Sequence, residues 1–290
     1  MQLVERKRRR QGLGYKARSL ARSFLSKLRR KLLGSTAPVV IGEQAPTPLP
    51  DMVIFIMDGN GRYAEKHGKP KPWGHLQGVF KAREMMNAMK ARGIRKLGFW
   101  AASTDNFEKR VKKEMQFLAN LIKRELREFL KNPQEVRIRI CGDWRKYVQD
   151  DELEQLIAEV EESTSMYSYL ELTIFFGFGG RSDIIHAVKD CVHDFVANQR
   201  PVEDIERCIT PDYLEARLLS HWVKGDKLLV FRSGEESPSL GHTSDFLLWQ
   251  LRSAEWKFST TLWPELSVAE VEAALEEYGA RSRLQGAPRR

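Results

Sequence analysis

At 290 residues and 42% hydrophobic content, the chain has material for one large or two small domains with a real core, which excludes a disordered or fibrous polypeptide. Its net charge of +9 is concentrated: residues 1–34 carry twelve Lys or Arg against one Glu, a net of +11, so the remainder sums to −2 and is no basic nucleic-acid-binding body. Cys141, Cys191 and Cys208 show no CxxC spacing and exclude a disulfide framework, pointing to reduced, buried thiols of a cytoplasmic protein; no segment approaches the roughly 18 apolar residues of a spanning helix, and no signal peptide is evident.

In the leader, residues 1–34, Leu13, Ala17, Leu20, Ala21, Phe24, Leu28 and Leu32 recur at three- and four-residue intervals between basic side chains, which predicts an amphipathic cationic helix. A solvated leader and an RNA-binding arm fit the same pattern. The expected partner is an anionic membrane surface, with about 1 kcal/mol of attraction per basic residue near it, and no nucleic acid. Residues 35–50 contain four prolines and read as a linker to a body over 51–286.

In the body, apolar runs over 52–57, 96–102, 136–141, 170–176 and 227–231 predict strands. Helical patterns at about 76–92, 111–131, 151–166, 182–197 and 211–221 separate them, with a last helix over 267–283. Such alternation is that of an α/β domain, a single parallel sheet covered by helices on both faces.

The first strand carries the strongest signal, because Met-Val-Ile-Phe-Ile-Met57 ends abruptly in Asp58-Gly-Asn-Gly-Arg62. Ligands of open parallel sheets bind beyond the carboxyl ends of the strands. Gly59 and Gly61 permit close approach to an anion, Arg62 can fork onto phosphate, and the helix that follows aims N–H groups at the same place. A carboxylate among phosphate-seeking groups implies a divalent cation between them. The alternative is an ordinary strand-to-helix turn with a capping Asp. Polar, unusual segments follow the other strands too: Ser103-Thr-Asp-Asn106, Gly142-Asp143-Trp-Arg145, Gly177-Phe-Gly-Gly-Arg181, and Arg232-Ser-Gly-Glu235 leading to Ser244-Asp-Phe-Leu-Leu-Trp-Gln250. Each could be a solvated turn, but their shared position describes a pocket for two phosphorylated groups or one polyphosphate. Trp249, Trp263, Phe175 and Phe176 read as packing residues.

From Met52 to Gly286 the chain resembles the cis-prenyltransferase family of undecaprenyl diphosphate synthase. The motifs carrying the likeness are Met57-Asp-Gly-Asn-Gly-Arg62-Tyr-Ala64, Gly74-His75, Ser103-Thr-Asp-Asn106-Phe, Gly179-Gly-Arg181-x-Asp183-Ile, Gly234-Glu235, Ser244 to Gln250, Glu255 and Leu262-Trp-Pro264. The paired Asp-Asp-x-x-Asp motifs of trans-prenyltransferases are not matched; only Asp150-Asp151-Glu-Leu-Glu154 comes near, and it reads as a helix surface.

This resemblance implies a Mg²⁺-dependent homodimer that condenses isopentenyl diphosphate with an allylic diphosphate to give a Z-polyprenyl diphosphate, with a hydrophobic tunnel for the tail. It implies Mg²⁺ at Asp58 and Glu255, and catalytic roles for Asp58, Asn60 and Asn106. Substrate contacts are implied for Gly59, Gly61, Arg62, Tyr63, Lys71, His75, Ser103, Phe107, Lys109, Arg181, Arg232, His242 and Ser244, with Tyr63 and Phe107 walling the junction of phosphate and tail. Two rival readings are a non-catalytic partner subunit and an atypical prenyl condensation.

Departures from the family pattern gather in the second phosphate site. Arg232 stands one residue nearer Gly234-Glu235 than expected, an insertion lengthens the loop by about five residues, and His242 replaces a second arginine. Leu284-Gln285-Gly286 keeps only the glycine of an Arg-x-Gly motif, with Arg281 and Arg283 nearby. Lys71 and Lys109 replace arginines, Thr173 and Gly177 replace asparagines, and Met52 replaces a histidine, so charge is kept but bidentate geometry is lost.

Overall fold

The computed structural model describes residues 48–286 apart from 110–111, 133, 225–226, 238–242 and 244; the basic leader, most of the linker, His242 and Ser244 lie outside the described residues. Five parallel strands form where the apolar runs predict them: β1 (Met52–Ile56), β2 (Lys96–Ser103), β3 (Val136–Cys141), β4 (Leu170–Phe178) and β5 (Leu228–Arg232). A sixth, β6 (Glu255–Phe258), completes the order β3-β4-β2-β1-β5-β6. It has no apolar run to announce it, because all four of its residues are only half-buried at the sheet edge.

β1 is buried along its whole length, as a strand covered on both faces must be. It has β2 on one flank and β5 on the other, so the strand order reverses at β1.

The main helices are α1 (Asn60–Lys66), α2 (Lys71–Arg92), α3 (Thr104–Lys109), α4 (Lys112–Lys131), α5 (Asp151–Ser163), α6 (Gly180–Ala197), α7 (Pro211–Glu215) and α8 (Val268–Gly286), with a single helical turn at Ile205–Cys208 between α6 and α7. α2 starts five residues earlier than its apolar periodicity, with Pro72 in its first turn, and ends at Gly93 with φ +95°. The segment after Ser103 is the short helix α3 rather than a loop, and only Pro211–Glu215 of the stretch expected over 211–221 is α-helical.

On one face of the sheet Phe55, Phe99 and Trp263 pack with centroid spacings of 5.4–6.1 Å, beside Met85 and Met89 from α2. On the other, Trp100, Phe175, Phe178 and Phe246 interlock. Each such side chain contributes about 1.5–3 kcal/mol by its burial. The acidic run at 150–154 proves structural: Asp150 caps α5 by accepting from Leu153 N at 3.0 Å and pairs with Lys123 at 2.7 Å.

Candidate functional site

The loop after β1 is held by three contacts from two residues. Ser233 Oγ donates to the carbonyls of Ile56 (3.2 Å) and Asp58 (3.1 Å), and Trp263 N donates to Asp58 O at 2.9 Å. Gly59 stands at φ +101°, and a Cβ there would meet Leu262 Cδ2 at 2.8 Å, so the position requires glycine on both counts. The backbone of Asp58 is thereby fixed while its carboxylate, 39% exposed, faces outward.

β1 and β5 lie side by side, and their register pairs Ile56 with Arg232. Asp58 therefore sits between two arginines: Arg62 Nη2 at 3.1 Å from Oδ1 and Arg232 Nη2 at 3.2 Å from Oδ2. Arg62 also donates to Gly234 O at 2.6 Å and to Glu236 Oε1 at 3.0 Å, and Arg232 Nε lies 3.2 Å from Glu235 Oε2.

α2 closes the opposite side. Gly74 and Gly78 bring it against Asn60 so closely that a Cβ at Gly78 would lie 2.9 Å from Asn60 Cγ. Asn60 Nδ2 donates to Met57 O at 3.2 Å, and Asn60 Oδ1 is buried with no hydrogen-bond partner among the described residues. His75, inside α2 rather than in a preceding loop, is buried and meets Glu114 Oε1 of α4 at 3.2 Å. At the end of β2, Ser103 N donates to Asn106 Oδ1 (3.3 Å) and Asn106 N to Ser103 Oγ (3.1 Å), a reciprocal pair that fixes the start of α3.

These elements enclose a polar cavity of about 380 Å³, lined by ten of the expected residues: Asp58, Gly59, Asn60, Gly61, Arg62, Lys71, His75, Ser103, Asn106 and Arg232. A second cavity of about 120 Å³ is lined largely by apolar side chains of α2, α4 and the sheet, including Val79, Met86, Phe99, Leu118 and Ile174. Met57, Asn60, His75 and Ala101 line both, so the charged space adjoins the apolar one at Asn60 and His75. Such a site suits a molecule with an anionic head and a hydrocarbon tail.

Other expected residues stand elsewhere. Tyr63 stacks on Trp73 at 5.3 Å and 5°, and Phe107 packs between Tyr147 and Phe176 at 4.9 and 5.1 Å. Lys109 pairs with Asp105 on an exposed surface, and Arg181, 86% exposed, lies 3.6 Å from Asp245. None of these four lines either cavity.

Glu255, expected to share a metal with Asp58, stands apart from it in this chain. Its partner in β5 is Leu229, three residues before Arg232, so it lies roughly 10 Å back along the strands and two strands away from β1. It faces Arg281 at 3.7 Å, and the fold does not bring it to Asp58 of the same chain. Among the described residues no group of three or more His, Cys, Asp or Glu could enclose a metal. Asp58 still fits a hard cation held by one carboxylate, with substrate oxygens and water supplying the other ligands.

Sequence reasoning missed Glu114 and Glu236. Neither has a local signature, because one becomes significant only through the approach of α4 to α2 and the other through a contact spanning 174 positions.

A doubly covered parallel sheet with two arginines and a carboxylate beside an apolar cavity fits an enzyme that handles amphiphilic phosphorylated substrates. Residues 56–286 match the prenyltransferase family described as "Putative undecaprenyl diphosphate synthase". The chain is 35% identical over 242 residues to the isoprenyl transferase of Agrobacterium fabrum, covering 82% of this chain and 93% of the relative. It is 33% identical over 240 residues to a tritrans,polycis-undecaprenyl-diphosphate synthase (geranylgeranyl-diphosphate specific) of Pyrococcus horikoshii, covering 82% and 87%.

Among solved structures, lavandulyl diphosphate synthase from Lavandula x intermedia, in complex with dimethylallyl diphosphate, superimposes with a TM-score of 0.71 at 26% identity, covering 80% of this chain and 96% of that one. The chain belongs to the undecaprenyl diphosphate synthase family of prenyltransferases. The relatives favour cis-prenyl chain elongation over a non-catalytic subunit or an atypical condensation.

Proposed function

We propose that this protein condenses isopentenyl diphosphate with an allylic diphosphate to give a Z-polyprenyl diphosphate. The observation that carries the reading is the junction of the polar and apolar cavities at Asn60 and His75. A diphosphate head beside Asp58 and Arg62 would leave its allylic carbon at that junction and its tail among Val79, Met86 and Leu118, along a hydrophobic tunnel between α2 and α4.

In this mechanism Arg62, Lys71 and His75 take the allylic diphosphate, and the backbone at Gly59 and Gly61 lets it approach. Arg232, with Arg181, Lys109, His242 and Ser244, serves the isopentenyl diphosphate. The alkene of isopentenyl diphosphate bonds to the allylic carbon as its C–O bond breaks. The released diphosphate stays on the cationic groups and takes up the proton whose loss leaves a Z double bond. Asn60 and Asn106 orient the reacting groups, while Tyr63 and Phe107 exclude water around the site. Asp58 would hold Mg²⁺ together with substrate oxygens, and the ion, when bound, neutralises charge on the departing diphosphate.

The same reading gives the protein two surroundings. Ile185, Val188, Val192 and Val196, 43–73% exposed, form one stripe of α6 that suits a second copy in a homodimer. No described helix is long and apolar enough to cross a membrane. The twelve Lys or Arg of residues 1–34 supply peripheral attachment to an anionic surface from the cytoplasmic side.

The deciding assay incubates the purified chain with radiolabelled isopentenyl diphosphate, Mg²⁺ and allylic primers of different lengths, and sizes the dephosphorylated products. Incorporation is expected, and Asp58→Ala should remove at least about a hundredfold in kcat. No incorporation with any primer would reject the reading. Deleting residues 1–34 should abolish sedimentation with anionic liposomes while short soluble primers are still turned over.

A further inference from the structure

The groups around Asp58 differ in how firmly they are held. Arg62 Nη2 is anchored by Asp58 and by the Gly234 carbonyl, and Gly234 is itself fixed because its N–H donates to Thr261 O at 2.8 Å. Glu235, the partner of Arg232, is buried at 8% exposure with its N–H on Ser259 O at 2.9 Å, so it belongs to the framework. Glu236 is different. Its side chain is 82% exposed, yet its carboxylate takes Arg62 Nη1 at 3.0 Å, leaving that edge of the guanidinium covered by an anion belonging to the protein.

Resting on the reading of this cavity as the diphosphate site, we propose that Glu236 is an internal competitor for it, a carboxylate that occupies Arg62 until an incoming diphosphate displaces it. The chemistry makes the exchange cheap and reversible. An exposed ion pair is weak, and a diphosphate brings more charge and the bidentate geometry that a guanidinium fork prefers. Once displaced, Glu236 remains tethered one residue from Glu235 and repels the bound anion. It therefore weakens retention of the allylic diphosphate and hastens release of the elongated product, which makes it a determinant of affinity and of the number of condensations per binding event.

The test titrates inorganic diphosphate, in the presence of Mg²⁺, into the full-length protein and into Glu236→Gln by calorimetry at low and high ionic strength. Glu236→Gln keeps the size of the side chain and removes its charge, and the residue's exposure makes a folding defect an unsuitable explanation, which a melting curve checks. The variant should bind diphosphate about two- to fivefold more tightly at low salt, the span of an exposed ion pair, with the ratio approaching one as salt screens the contact. In turnover the gain should appear as a lower KM for the allylic substrate, and the mean product length should rise. Equal affinity of the two proteins, with the unmodified protein binding diphosphate and Arg62→Ala failing to, would overturn the competitor role and leave the diphosphate site standing. Failure of the unmodified protein to bind diphosphate at all would overturn both.

Discussion

Gly78→Ala tests whether α2 frames the reacting position through Asn60. A methyl group at residue 78 would lie 2.9 Å from Asn60 Cγ and 3.1 Å from Nδ2, with Oδ1 nearer still. Restoring a normal carbon contact of 3.5–4.0 Å requires the Asn60 amide to move by about 0.6–1.1 Å. α2 has little freedom to retreat, because Trp263 Nε1 donates to the Gly78 carbonyl at 2.8 Å from a fully buried ring. The amide must therefore rotate and give up its bond to the Met57 carbonyl, at a cost of about 1 kcal/mol. Local overpacking adds about 1–3 kcal/mol, and the better helix propensity of alanine returns about 1 kcal/mol. The net loss of stability is about 1–3 kcal/mol, whereas displacement of a positioned group by this distance costs on the order of 10²-fold in rate. Denaturant unfolding and steady-state incorporation of isopentenyl diphosphate measure the two quantities separately. A variant with unaltered kcat would show that the amide of Asn60 is not held in its working position by α2, and the proposed role of Asn60 would fall with it.

Three further outcomes follow from the same contacts. Glu114→Ala strips buried His75 of a partner at 3.2 Å, and should cost about 1–3 kcal/mol of stability and raise KM for the allylic substrate, measured by thermal melts and kinetics. Asp150→Ala removes both the α5 cap and a partner of Lys123, whose side chain is only 10% exposed, and should cost about 2–4 kcal/mol in denaturant unfolding. Hydrogen bonding from Lys123 holds the Asp150 carboxyl below its usual range, so this contribution is present above about pH 4 and is lost as pH falls through the lowered folded value; the variant should lack that acid-side decline. Asp183 has the opposite sign: burial raises its carboxyl above the usual range despite bonds from Leu219 N and Ser220 Oγ. Its contribution should be greatest below about pH 4 and decline as pH rises through the raised value, a slope that Asp183→Asn should abolish in pH-dependent melts.

What could be read from the sequence was whatever depends on neighbours along the chain. An apolar run stopped by Asp58-Gly59 encodes a strand end and a turn at once, so β1 and the position of Asp58 were both legible. The start of α2 was not, because glycine inside a helix counts against helix formation, and only the close approach to Asn60 shows why Gly74 and Gly78 are there. β6 escaped notice for a related reason: as an edge strand it buries too little of Glu255–Phe258 to need apolar alternation. The pairing of Lys109, expected from the family resemblance to contact substrate, was not legible there: the turn of α3 places it four residues from Asp105, and the two form an exposed ion pair.

The order of the strands explains why the site lies at β1 and not at another glycine-bearing strand end. From β1 the chain first crosses to β2 and fills that side of the sheet with β4 and β3, returning to the opposite flank only with β5 and β6. The connections leaving β1 and its neighbours therefore diverge, and a crevice opens above β1 without any side chain having to be excavated. Asp58 lines that crevice because it stands just past the end of β1, Arg232 because it ends the strand on one flank, and Ser103 and Asn106 because they lie where the strand on the other passes into α3. By the same logic the chemistry following β3 is three strands removed from β1, so Asp143 and Arg145 are free to serve the surface, where Arg145 pairs with Glu154 at 2.7 Å. Topology, more than the glycine content of any loop, selects which strand ends become a binding site.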